Sequence, residues 1–331
     1  MSATKERAMH IVLLEIGHRY HDLEKALTAF PGAELHRVAT PEEIAAAMPR
    51  AEILIASNRL YTPENAKTIC AHAKALQWIQ FSTSGIDKAQ AHGLPSGVIV
   101  TNASGLRAFA VAEHAFALML GLVRRLPDVA AAKREKVWRR EEISPHLDNL
   151  AGKHMVLIGL GAIGQEIARK AKAFDMAVTG ISRTRDAIPN VDRIRPRSEL
   201  QAAAAEADIM VVAAISNEET DRIVSRAVIG AMKPTAYVIN IARGALIDEP
   251  ALIDALQAGR IAGAGLDVAA TEPLPKDHPF WTMTNVLISP HIGGAGGQGD
   301  THAGFVKIFI DNLRRFVDKK PLTKVVIEKT P

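Results

Sequence analysis

The sequence predicts an α/β protein built from two doubly wound parallel-sheet domains, and three observations carry that prediction. Short apolar runs without alternation, the mark of strands buried on both faces, recur between amphipathic segments along most of the chain. One such run, Met155-Val156-Leu157-Ile158, leads directly into Gly159-Leu160-Gly161-Ala162-Ile163-Gly164, then an amphipathic segment and a second apolar run. A chain of 331 residues is long enough for two substantial cores.

Composition narrows the class. Apolar residues make up 48% of the chain and charged residues 23%, as in ordinary globular proteins, and no window approaches about 18 consecutive apolar residues. The opening MSATKERAMH lacks an apolar signal core, so neither export nor a membrane partner is expected. The single cysteine, Cys70, excludes an internal disulfide, fits a cytoplasmic location, and reads as a packing residue on a helix rather than a nucleophile. The net charge of +4 is dispersed apart from short clusters at 133–140 and 183–197. That argues against nucleic acid as a partner and is compatible with small anionic substrates. No metal-ligating pattern is read from the sequence.

The first hundred residues alternate strands and helices: strand Ile11 to Ile16, helix Asp22 to Ala29, strand Ile53 to Ala56, helix Pro63 to His72, strands Leu76 to Phe81 and Val98 to Thr101. This domain has no glycine fingerprint and is read as the one that presents the substrate. Its turn Ser82-Thr83-Ser84-Gly85-Ile86-Asp87 follows a strand, where α/β folds bind ligands. Two readings stand there: the amides of Ser84 and Gly85 hold a substrate carboxylate, or the turn caps a helix. Residues near Ser57 to Tyr61 are expected to contribute to the pocket for the substrate side chain. Between Gly105 and Arg125 an apolar helix, VAEHAFALMLGLVRR, links the domains. The charged segment Leu126 to Leu150 reads as an arm over a partner or domain surface, with Trp138 as a packing anchor more readily than a substrate contact.

The glycine turn is the signature of a dinucleotide site because each glycine has a task. Gly159 permits the turn, Gly161 lets backbone approach a pyrophosphate, and Gly164 lets the helix from Ala162 pack on the sheet. The free amides of its first residues, Ala162 and Ile163, then face the phosphates. At the end of the second strand, Ala177 to Ile181, an NAD site carries Asp or Glu, whereas this chain has Ser182-Arg183-Thr184-Arg185. With no carboxylate there and two guanidiniums available, NADP(H) is the favoured cofactor. The competing reading is a solvated basic turn beside an NAD(H) site.

Further strands are expected at Ile209 to Ala213, Tyr237 to Ile241, Ala264 to Val268 and Val286 to Ile288, giving a six-stranded dinucleotide-binding sheet. Thr301 to Val317 reads as an amphipathic helix and Leu322 to Ile327 as a short strand, a tail that returns to the N-terminal domain. The expected division is residues 1–105 plus 297–331 for the substrate domain and 106–296 for the dinucleotide domain.

Three polar residues follow the last three strands: Arg243 in INIARGALID, Glu272 in GLDVAATEPLP and His291 in VLISPHIGG. Arginine grips a carboxylate through two parallel hydrogen bonds, and histidine donates and accepts protons near neutrality. A carboxylate beside it fixes its tautomer and favours its charged form. Each also has a structural reading, as a helix-terminus partner, a turn cap and a residue after proline; together they form a set suited to hydride transfer with a 2-oxo acid.

At these residues the chain resembles the D-isomer-specific 2-hydroxyacid dehydrogenase family, over nearly its whole length. The motifs are SGID at 84–87, VAEHAFALML at 111–120, LAGKHMVLIGLGAIG at 150–164, SNEET at 216–220, INIARGALID, LDVAATEPLP and SPHIGG. The resemblance implies a Rossmann domain inserted in a flavodoxin-like domain that the C-terminal helix completes. It implies that Arg243 binds substrate carboxylate and carbonyl, His291 is the acid and base, Glu272 partners His291, and Asp267 holds the nicotinamide amide. It also implies a homodimer formed through about 106–150. The chain departs from the family in carrying Ser182 in place of the ribose-binding aspartate, as NADPH-using glyoxylate and hydroxypyruvate reductases do. It also has five glycines between Gly293 and Gly299, read as either a mobile hinge or close backbone packing on the cofactor. Two rivals to 2-oxo acid reduction are a dinucleotide-sensing corepressor and a dehydrogenase of a non-carbon substrate such as phosphite.

Overall fold

The structure is a computed structural model that describes residues 8–15, 21–183, 187–296 and 298–330. Thr184 and Arg185 of the basic turn, and Gly297 of the glycine-rich run, lie outside the described residues. The chain divides into two compact units, Met1–Leu106 with Gly297–Pro331, and Arg107–Gly296. In chain order the strands are β1 (Met9–Leu14), β2 (Ala33–Val38), β3 (Ile53–Ala56), β4 (Trp78–Phe81), β5 (Ile99–Thr101), β6 (His154–Ile158), β7 (Ala177–Ile181), β8 (Arg193–Arg195), β9 (Ile209–Val212), β10 (Tyr237–Asn240), β11 (Gly263–Leu266), β12 (Val286–Ile288) and β13 (Val325–Ile327). The α-helices are α1 (His21–Leu27), α2 (Pro41–Ala47), α3 (Pro63–His72), α4 (Asp87–His92), α5 (Ala108–Val123), α6 (Leu126–Glu135), α7 (Arg140–Ile143), α8 (Ala162–Ala173), α9 (Leu200–Glu206), α10 (Arg226–Ala231), α11 (Glu249–Gln257) and α12 (Gln298–Val317).

In the first unit the strand order is β13-β5-β4-β3-β1-β2, parallel except for β13. The five parallel strands thus run 2-1-3-4-5, the flavodoxin-like order. In the second unit the order is β12-β11-β10-β9-β6-β7-β8, all parallel, which is the Rossmann order extended by one strand. The sheet reverses direction of growth between β6 and β9, so the turn after β6 sits at the switch point where such sheets bind ligands.

The unalternating apolar runs have a direct physical reason. Along β6, Val156 and Ile158 enter one core while Met155 and Leu157 enter the core on the opposite face. Along β1, Val12 and Leu14 face one core and Ile11 and Leu13 the other. Both faces are covered, so every position must be apolar. The two strands that the sequence reading missed are both sheet edges, β2 (AELHRV) and β8 (RIR), where only partial burial is demanded and polar residues are admitted. The second sheet therefore has seven strands rather than the expected six.

The tail completes the first unit. Phe305, Phe309 and Leu313, four residues apart on α12, join Ile11, Leu13 and Trp78 in one core. Trp78 stacks on Phe309 with ring centroids 5.3 Å apart, a contact of about 0.5–1.5 kcal/mol beyond burial, and its indole donates to Thr101 Oγ1 at 2.7 Å.

Two expectations change. Cys70 is exposed on α3 rather than packed, and the partial desolvation that it meets pushes its thiol above the ordinary value, which keeps it protonated. Trp138 is 92% exposed within the chain and anchors no core of its own unit. Among the described residues no helix is long and apolar enough to cross a membrane.

Candidate active site

The glycine turn after β6 is built as its spacing demands. Gly159 has φ +97°, and a Cβ on it would lie 2.6 Å from Ala214 Cα, so the turn packs directly on the chain leaving β9. A Cβ on Gly164 would meet the carbonyl oxygen of Gly159 at 2.1 Å, which is why α8 can approach the strand so closely. At Gly161 an added Cβ would point into open space. Gly161 is the N-cap of α8 and supplies no side-chain cap, so the first-turn amides around Ala162 and Ile163 face that space uncapped. A cradle lined by backbone N–H groups at a helix N-terminus fits a pyrophosphate.

Ser182 follows β7 and its amide donates to Arg195 O at 3.1 Å. Arg183 is exposed, but its guanidinium pairs with Glu219, which also accepts from Arg197 at 3.3 Å. The sequence reading found no carboxylate in this turn, and the fold brings one from the SNEET segment after β9. Thr184 lies outside the described residues.

Arg243, Glu272 and His291 follow β10, β11 and β12, which are neighbours in the sheet and end at the same edge. Buried Asn240 shapes the arginine loop: its Nδ2 donates to Arg243 O at 2.9 Å and its Oδ1 accepts from Ala242 N at 3.0 Å. The Arg243 guanidinium donates to Ala242 O at 2.7 Å. A Cβ on the next residue, Gly244, would fall 2.0 Å from the carbonyl carbon of Ala269. Glycine here lets the arginine loop lie backbone to backbone against the segment that leads to Glu272. Glu272 Oε2 lies 2.8 Å from His291 Nδ1, and its Oε1 accepts from Ala269 N at 3.3 Å. Both side chains remain accessible, 39% for Glu272 and 45% for His291, so the imidazole is oriented by the carboxylate yet open on its other side. His291 itself has φ +54°, a left-handed turn that redirects the chain leaving β12.

Asp267, 2% exposed, holds the histidine loop. Its Oδ1 accepts from Ser289 Oγ at 2.7 Å and Ile292 N at 2.9 Å, and its Oδ2 accepts from Gly293 N at 2.8 Å. His114 Nε2, on α5, lies 2.7 Å from Ser289 Oγ and 3.2 Å from Asp267 Oδ1. A carboxylate offers about four acceptor directions, so these contacts leave one on Oδ2. A Cβ on Gly293 would sit 2.7 Å from Asp267 Oδ2, and one on Gly294 would sit 3.1 Å from Arg107 Cδ. At these two positions glycine serves close packing.

In the first unit, Ser84 and Gly85 occupy the loop between β4 and α4. The helix is capped from elsewhere, since Asn58 Oδ1 accepts from the amides of Lys88 at 3.0 Å and Ala89 at 3.4 Å. The Ser84 carbonyl accepts from Asn102 Nδ2 at 2.6 Å and the Gly85 carbonyl from Thr83 Oγ1 at 2.9 Å. The loop is thus pinned by its carbonyls, while among the described residues the amides of Ser84 and Gly85 find no intramolecular acceptor. Tyr61, expected near the substrate pocket, is instead fully buried in the core, its hydroxyl unpaired and its ionisation pushed upward by burial.

Residues 116–293, over half of the chain, match the family model for the NAD binding domain of D-isomer specific 2-hydroxyacid dehydrogenases. The chain belongs to this family. Among relatives of this chain, the glyoxylate reductase of Pyrococcus furiosus is 38% identical over 204 residues, 60% of this chain and 60% of that protein. The D-3-phosphoglycerate dehydrogenase of Mycobacterium bovis is 32% identical over 268 residues, 80% of this chain and 49% of that protein. The chain thus spans about half to three fifths of the length of the curated relatives it matches. A crystal structure of a D-isomer specific 2-hydroxyacid dehydrogenase family protein from Aeromonas salmonicida superposes with a TM-score of 0.83 at 29% identity, covering 96% of this chain and 99% of that one.

Sequence reading of this family member missed Glu219, Asn240, Gly244, Ser289 and His114. SNEET, INIARG, SPHIGG and VAEH contain them all; Asn240 bonds its near neighbours Ala242 and Arg243, whereas the partners of the others are distant in sequence and only the fold joins them.

Proposed function

We propose that the protein reduces a small 2-oxo acid, of the size of glyoxylate or hydroxypyruvate, to the D-2-hydroxy acid, with NADP(H) preferred and NAD(H) accepted. The observation that carries this reading is the His291–Glu272 pair at the strand-end edge, beside the Arg243 loop, in the sheet that bears the glycine cradle. Gly159, Gly161, Ala162, Ile163 and Gly164 would hold the pyrophosphate of the dinucleotide, whose reduced nicotinamide would supply the hydride for C2 of the substrate. Arg243 holds the substrate carboxylate and polarises the carbonyl. His291 gives a proton to the carbonyl oxygen as it gains charge, and Glu272, 2.8 Å from its Nδ1, keeps its ring aimed. Asp267 holds the His291 loop and offers its remaining acceptor direction to the nicotinamide amide. Within the first unit, the amides of Ser84 and Gly85 suit a substrate carboxylate. A homodimer, formed through the segment 106–150, is supported by exposed Phe109, Leu126, Val129, Val137 and Trp138. The single cysteine suits a cytoplasmic location. The test is steady-state assay of a panel of 2-oxo acids, from glyoxylate to phenylpyruvate, with NADPH and with NADH. A protein that binds cofactor yet reduces none of them would overturn the proposal.

Magnitudes support the NADP(H) preference despite Glu219. Its pairing with Arg183 is between side chains more than half exposed, and such pairs are worth about 0–1 kcal/mol. A charge-assisted hydrogen bond to a 2′-phosphate is worth about 1.5–3 kcal/mol, so the phosphate displaces the carboxylate. Replacing Ser182 by Asp and Arg183 by Gln is expected to shift preference toward NADH by about ten- to hundredfold. Glu219→Gln is expected to do the reverse, lowering KM for NADPH and not for NADH. Unchanged preference in both variants would mean that this turn does not read the 2′ position.

Gly161→Val is expected to fill the cradle. Cofactor affinity, measured by fluorescence titration, should fall at least about tenfold, or 1.4 kcal/mol, with little change in Tm because nothing packs there. A Tm that collapses, or an affinity that survives, would show that the open space is not the phosphate site.

A further inference from the structure

We propose that His10, Glu34 and His36 form a binding site for a divalent transition-metal ion, with Zn²⁺ the cation that suits its donors. The site arises from strand register. β1 and β2 pair in parallel with His10 opposite Glu34 and Val12 opposite His36. Opposed residues point to one face, and residues two apart on a strand share a face, so the three side chains project together from the same side of the sheet. That face carries Val12, Leu14 and Val38 into the core at the other end of the strands.

The donor atoms converge as a metal would require. His10 Nδ1 is 3.1 Å from Glu34 Oε2 and 3.2 Å from His36 Nε2, and the last two are 3.8 Å apart. Ligands at 2.0–2.1 Å from a tetrahedral Zn²⁺ are separated by about 3.3–3.4 Å, so two of the spacings lie within about 0.3 Å of that geometry and the third within about 0.5 Å. Hydrogen bonding accounts for the cluster less well. One ring nitrogen offers either one proton or one lone pair, yet His10 Nδ1 faces two partners at nearly equal distance. A cation at the centre satisfies all three atoms at once.

Donor identity sets the class of ion. Two imidazoles and one carboxylate suit Zn²⁺, Cu²⁺ or Ni²⁺, whereas Mg²⁺ and Ca²⁺ seek all-oxygen shells. Side-chain exposure rises from 16% at His10 to 38% at His36 and 52% at Glu34, so a fourth position opens to solvent and takes water. The cluster lies where β1 and β2 begin. Ser84 and Gly85 follow the opposite, C-terminal end of a strand in the same parallel sheet, so the ion has no part in their contacts. It would instead tie edge strand β2 to β1, adding stability by mass action on the folded state.

The experiment uses tag-free, full-length protein stripped with a chelator and titrated with Zn²⁺ by calorimetry, with Co²⁺ as an absorbing probe of tetrahedral coordination. One equivalent per chain is expected, with a metal-dependent rise in Tm that excess Mg²⁺ does not reproduce. In His36→Gln, and independently in the more exposed Glu34→Gln, Zn²⁺ affinity should fall at least tenfold and the Tm response should vanish, while 2-oxo acid reduction is unchanged. Saturable binding of equal affinity in both variants, or no binding by the wild type, would overturn the proposal.

Discussion

Arg243→Ala is expected to lower kcat/KM for 2-oxo acid reduction by about 10²- to 10⁴-fold. Two hydrogen bonds to a charged carboxylate, each worth about 1.5–3 kcal/mol, disappear together. The loop should survive the truncation. Asn240 holds its backbone at Ala242 N and Arg243 O, and Gly244 seats it against Ala269. The side chain contributes a hydrogen bond to Ala242 O that the variant loses without exposing a core. Cofactor affinity should therefore remain close to wild type. Arg243→Lys should recover only part of the loss, since an ammonium has no planar fork. Steady-state kinetics with saturating NADPH, paired with cofactor titration, checks both statements, and near-normal turnover in Arg243→Ala would remove the arginine from substrate binding.

His291→Gln is expected to cost about 10²- to 10⁴-fold in kcat, the usual worth of a positioned acid or base. Glu272→Gln should lose less, because the imidazole remains and only its orientation is less supported. The double variant should be hardly worse than His291→Gln alone. Once the imidazole is gone the carboxylate has nothing to align, and residues acting as a unit do not add. Independent losses in the double variant would show that the 2.8 Å contact has no role in proton transfer.

The parts of the fold that were legible in sequence are those where local pattern and tertiary demand coincide. β6, buried on both faces, has to be apolar throughout, and its turn has to be glycine at 159 and 164 because backbone stands where a Cβ would go. Arg243, Glu272 and His291 could be placed at one edge because parallel strands deliver their C-terminal ends together. Edge strands β2 and β8 escaped notice because one free edge relaxes the apolar requirement. Long-range polar partners escaped for a different reason. Glu219 at Arg183, His114 at Asp267, and Asn58 over the first turn of α4 depend on which loops the sheet order brings side by side. Tyr61 shows the limit in the other direction, as a polar group expected in a pocket but spent on the core.

The central claim is that His291, aligned by Glu272, delivers the proton during reduction of a 2-oxo acid held by Arg243. A single-turnover experiment tests it most directly: wild type and His291→Gln, each preloaded with NADPH, are mixed rapidly with saturating glyoxylate while cofactor oxidation is followed. One cofactor oxidised per site is expected in both proteins, at least about a hundredfold more slowly in the variant, with equal NADPH affinity. Equal single-turnover rates would contradict it.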